Sequence, residues 1–76
     1  PELLMKKQLP FSNRVRELRA ESNAMTQSDL AAVVGVTRQT IAAIEQARYS
    51  PSLESAFRIA RTFTVPLDDV FQCHDP

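Results

Sequence analysis

The chain has 76 residues, with nine Lys and Arg against nine Asp and Glu, and therefore no formal net charge. A chain of this length buries only about 60% of the surface that its unfolded form exposes, so a deep enzyme pocket is not expected and a partner subunit is an expected source of stability. One cysteine, Cys73, and one histidine, His74, cannot make an internal disulfide, a tetrahedral zinc site, or a nucleophile and base oriented around a pocket. No enzyme activity, metal, cofactor or small-molecule substrate is expected.

No apolar run approaches the roughly 20 residues that span a bilayer, so no membrane association is expected and the reading is of a soluble, cytoplasmic protein. Zero net charge argues at first against nucleic acid, because phosphate binding draws on Lys and Arg that release condensed counterions. The charges are segregated, however. All nine basic residues lie between Lys6 and Arg61 with only five acidic ones, while Glu2, Asp68, Asp69 and Asp75 sit near the two ends. That distribution permits a nucleic-acid partner, and a mixed solvated surface would share it.

Residues 1–10 lie between two prolines and read as an arm, residues 11–72 as the folded domain, and residues 73–76 as a tail without pattern. From Phe11 onward, apolar residues recur at spacings of three and four, which predicts five short helices. The first covers Ser12 to Ser22, turns Val15 and Leu18 inward and ends near Asn23, a residue tolerant of the left-handed conformation. Thr26 has the character of an N-cap, with Asp29 three residues later as a shortened capping box. This second helix buries Leu30, Ala31 and Val34 and stops at Gly35, the only glycine of the chain, where a left-handed residue would turn the path sharply.

Val36 follows as an apolar plug, and Thr37 caps a third helix running to Gln46. At 100° per residue, Ile41 and Ile44 point to the core, while Gln39, Ala42 and Ala43 take the opposite face with Arg38 at its edge. A small, polar outer face suits a helix that enters a major groove about 12 Å wide. Plain helix propensity on a solvent face would look the same. Ser52 caps a fourth helix with Leu53, Ala56, Ile59, Ala60 and Phe63 on one stripe and Phe57 beside it. Pro66 opens a short last helix through Phe71, where Asp68 and Asp69 suit the positive end of the helix dipole.

The stretches Thr26-Gln27-Ser28-Asp29-Leu30-Ala31, Gly35 to Glu45, Tyr49-Ser50-Pro51-Ser52-Leu53 and Val65 to Phe71 together resemble the Cro/cI-like helix-turn-helix regulators, the Xre family. The resemblance spans Asn13 to Gln72. It implies an all-α, compact five-helix bundle with a helix-turn-helix, the lambda-repressor-like DNA-binding domain, and a sequence-specific transcriptional regulator of double-stranded DNA. It also implies repression from a palindromic operator bound by a homodimer.

Carried over by position, Arg38, Gln39, Ala42 and Ala43 are the base-facing set, and Gln27, Thr37, Thr40, Arg14 and Arg48 are candidate phosphate contacts. Arg19 and Glu45 stand where the family places an ion pair joining the first and third helices. The dimer surface is expected on the last helix at Val70 and Phe71, together with Phe57; the alternative for all three is closure of the monomer core. Members of the family also serve as antitoxins that bind a partner protein, with a segment outside the five helices, for which only Pro1 to Pro10 and Gln72 to Pro76 remain here. Three departures from the family pattern stand out. The first turn, Ser22 to Met25, is one residue longer, Gln46-Ala47 replaces a frequent Asn-Gly, and Thr64 replaces a glycine. A left-handed Ala47 would carry roughly 1–2 kcal/mol of strain, unless the loop bends differently.

Overall fold

A computed structural model describes residues 9–73, so most of the expected arm and the last three residues, His74 among them, lie outside the described residues. The elements are β1 (Phe11–Asn13), α1 (Val15–Glu21), α2 (Gln27–Val34), α3 (Arg38–Glu45), α4 (Leu53–Thr62), α5 (Leu67–Val70) and β2 (Phe71–Cys73). The five helices are those expected from the periodicity. The two strands correct the all-α expectation: β1 and β2 pair antiparallel, Phe11 opposite Cys73, Ser12 opposite Gln72 and Asn13 opposite Phe71.

Ser12 and Asn13 are thus strand, not the first turn of a helix, and Cys73, expected in the tail, is paired opposite Phe11. Three-residue strands are too short to show an alternating pattern, and their partners are some sixty residues apart in the chain. The sheet is held from within by Phe11 and Phe71, whose rings meet edge to face at 6.0 Å, a favoured aromatic geometry.

The core gathers Val15 and Leu18 from α1, Leu30, Ala31 and Val34 from α2, Ile41 and Ile44 from α3, Ile59 and Ala60 from α4, and Val70 from α5. Val70 is completely buried, which removes it from any dimer surface. Val70 is the one fully buried residue of the short α5, whose Leu67 packs partly buried against the same core, and β2 continues directly from it. Phe71 is partly buried against the core. Leu53, expected on the buried stripe of α4, is instead 67% exposed, because as the first residue of α4 it projects past the end of the core.

The helix ends explain the path between the elements. Thr26 Oγ1 accepts the Asp29 amide at 2.9 Å and Asp29 Oδ2 accepts the Thr26 amide at 3.1 Å, so the capping box is complete. The Thr26 hydrogen bonds hold the Asp29 carboxyl below its ordinary range. Gly35, at φ +89°, ends α2 and lets the Gly35 and Val36 amides both reach Ala31 O. The same left-handed closure recurs without glycine at Ala47 (φ +59°) and Thr64 (φ +57°), where the Arg48 amide returns to Ala43 O and the Val65 amide to Ala60 O. Ala47 therefore takes the strained option. The longer first turn resolves by placing Asn23 and Ala24 both at positive φ, +56° and +54°.

Candidate nucleic-acid interface

Helix α3 is held from below by Ile41 and Ile44, which are 0% and 1% exposed. Burying each contributes about 1.5–3 kcal/mol. That anchoring leaves the opposite face outward, with Arg38 and Gln39 exposed and Ala42 and Ala43 half-buried. Thr37 Oγ1 accepts the Thr40 amide at 3.2 Å and lies 3.0 Å from Thr40 Oγ1, so both hydroxyls cluster at the start of the helix.

A polar network braces this face. Arg19 reaches Glu45 with two hydrogen bonds, Nε to Oε2 at 2.6 Å and Nη2 to Oε1 at 3.1 Å, and donates a third to Met25 O at 2.8 Å. The Arg19 and Glu45 side chains are only 16% and 5% exposed. The Glu45 hydrogen bond pushes the Arg19 guanidinium still further up from its high ordinary value. Gln27 Nε2 donates to Glu45 Oε1 at 3.1 Å, and Gln27 Oε1 accepts from Arg38 Nη1 at 3.3 Å. A continuous chain thus runs from the first turn through Arg19, Glu45 and Gln27 to Arg38, and fixes the attitude of α3 from three elements.

The other candidates are dispersed. Arg14 is drawn onto Glu17 at 2.8 Å, away from α3, and Arg48 donates to Gln46 Oε1 at 2.8 Å in the loop after α3. Phe57 is 49% exposed and stands one turn from Leu53 on the outer side of α4. Phe57 and Val70 are therefore not on one surface.

Two residues escaped the sequence reading. Asn13 Oδ1 accepts the Val15 amide at 3.1 Å, while its Nδ2 donates to Ile44 O at 2.8 Å, so one side chain both starts α1 and satisfies a carbonyl at the end of α3. The signal was an Asn two residues before the first buried position, the pattern of a side chain folding back on its own backbone. Arg16 lies beside a cleft of about 300 Å³ between α1 and α3, lined also by Arg19, Gln27, Ala42, Glu45 and Gln46. Its spacing of three from Arg19, which puts both on one face of α1, was the available clue.

The described residues contain no group of three or more His, Cys, Asp and Glu side chains placed to hold a metal ion. No described helix is long and apolar enough to cross a membrane.

Residues 15–70 match the helix-turn-helix family model. The chain is 49% identical over 65 residues to an uncharacterised HTH-type transcriptional regulator of Methanocaldococcus jannaschii, covering 86% of this chain and 97% of that protein. It is 33% identical over 60 residues to the cryptic phage CTXphi transcriptional repressor RstR of Vibrio cholerae, covering 79% of this chain and 53% of the repressor. A crystal structure described as that of a candidate DNA-binding protein from Bacteroides fragilis superposes with a TM-score of 0.73 at 24% identity, over 82% of this chain and 98% of that one, a likeness of fold. With the helix-turn-helix in place, its third helix braced and its outer face open, the chain belongs to the Cro/cI-like helix-turn-helix family.

Proposed function

We propose that this protein is a sequence-specific DNA-binding transcriptional regulator that represses from a palindromic operator as a homodimer. The observation that carries the reading is the outer face of α3, where Arg38 and Gln39 are exposed ahead of two alanines on a helix whose other side is completely buried. Arg38 offers a bidentate donor pair for guanine and Gln39 a donor and acceptor for adenine, while Ala42 and Ala43 offer methyl contact or clearance. Thr37, Thr40 and Gln27 flank the start of that face, Arg48 lies in the loop behind it, and on this reading they make phosphate contacts that set its register. One relative is named as a phage transcriptional repressor, which favours repression.

A single copy presents one short reading helix, too little for tight binding. Two copies on one duplex, with half-sites about one helical turn apart, double the contacts and explain a palindrome. Leu53 and Phe57, both exposed one turn apart on α4, are the apolar pair that this reading assigns to pairing.

Gln39→Ala tests the reading. Binding to an operator selected from random duplexes is expected to weaken by about 1–3 kcal/mol, with binding to unrelated duplex nearly unchanged. Equal loss on both in a salt-controlled titration would show that this face does not read bases.

A further inference from the structure

The cleft between α1 and α3 holds five polar side chains, and four are already committed. Arg19 and Glu45 satisfy one another, Gln27 uses its amide nitrogen on Glu45 and its oxygen on Arg38, and Gln46 Oε1 accepts from Arg48. Arg16 is the fifth. It is exposed, and its side chain makes no hydrogen bond or ion pair among the described residues. With the Arg19 and Glu45 charges cancelling, the cleft carries one net positive charge, and that charge belongs to Arg16. Ala42, on the face of α3 read above as facing bases, lines the same cleft, so a duplex seated on α3 brings one of its strands past the cleft mouth.

We infer that Arg16 is a DNA-backbone contact, donating from α1 to a phosphate of the strand that passes the α1–α3 cleft. Arg14, two residues earlier, is the weaker candidate: its Nε is 2.8 Å from Glu17 Oε1. Glu21 and Asp69 also act on its guanidinium, which Glu17 above all pushes up. A phosphate at Arg14 would have to displace one carboxylate and approach two more. At Arg16 nothing has to be displaced, and the guanidinium fork suits a phosphate. The assignment rests on the DNA-binding reading and names a residue for it.

The test is a titration of a fluorescent mixed-sequence duplex with wild-type protein, Arg16→Gln and Arg14→Gln over a series of potassium chloride concentrations, with circular dichroism confirming that each variant is folded. Phosphate contacts are blind to sequence, so no operator is needed. Loss of one contact lowers the slope of log K against log salt by about 0.9, which amounts to roughly eightfold weaker binding at about 0.1 M salt. Arg16→Gln is expected to show that loss and Arg14→Gln to keep the wild-type slope. An unchanged slope in Arg16→Gln, or the drop appearing in Arg14→Gln instead, overturns the assignment while leaving the DNA-binding reading intact. Wild-type protein that binds no duplex at any salt concentration overturns both.

Discussion

The outer faces of α3 and α4 belong to helices of similar length, each anchored on the same core, yet they are finished in opposite ways. On α3 the outward residues are small or polar, and the approach is stiffened by the chain of hydrogen bonds from Arg19 through Glu45 and Gln27 to Arg38. On α4 the outward residues include Leu53 and Phe57, 67% and 49% exposed, beside the Glu54 and Arg58 ion pair and Arg61. A surface that must read hydrogen-bonding groups gains from fixed donors and has no use for large apolar groups. A surface that must bury area against a like copy needs exposed apolar groups. On the reading proposed above, the two faces would separate recognition from pairing within one small domain.

The largest expected effect lies in the brace. Glu45→Ala strands the Arg19 guanidinium in a site where it is 16% exposed, and is expected to cost about 3–5 kcal/mol in urea unfolding, a large share of the roughly 5–15 kcal/mol that holds a domain together. A loss below about 1 kcal/mol would mean that α3 stands without the brace. The proposed pairing face comes next. Phe57→Asp is expected to weaken dimerisation by about 2 kcal/mol, roughly 30-fold, in sedimentation equilibrium, with monomer melting unchanged. An unaltered dimer would move the pairing surface elsewhere. Smallest is the turn behind α3, where Ala47→Gly relieves a positive φ that glycine adopts freely. It is expected to stabilise by about 1 kcal/mol, or roughly 4–8 °C in Tm. A destabilised variant would show that the Ala47 methyl packs usefully despite its backbone.

The helices and the helix-turn-helix were legible because each rests on a local signal. Thr26, Thr37 and Ser52 cap, Gly35 turns, and apolar residues recur with the helical period. The ion pair of Arg19 and Glu45 came from family resemblance, since nothing local joins residues 26 apart. Misplacements fell where the deciding partner was distant. Val70 looked equivalent to Phe71 in sequence, yet one is completely buried and the other packs at the sheet. Leu53 fits the α4 stripe on a wheel, but a wheel does not say where the core stops. Arg14 and Arg16 are equally basic, and only the fold reveals that one is held by Glu17 and the other stands uncommitted at a cleft.

By itself the sequence determined the number and type of helices, the left-handed turn at Gly35 and the residues presented by α3, because caps, turns and helical periodicity act within a few residues. Tertiary structure alone decided the pairing of the two terminal strands, the bond from Asn13 to the end of α3, and which arginines remain free to meet a partner. Those depend on groups brought together across the chain, and a hydrogen bond or an ion pair is decided by distances that no local pattern encodes.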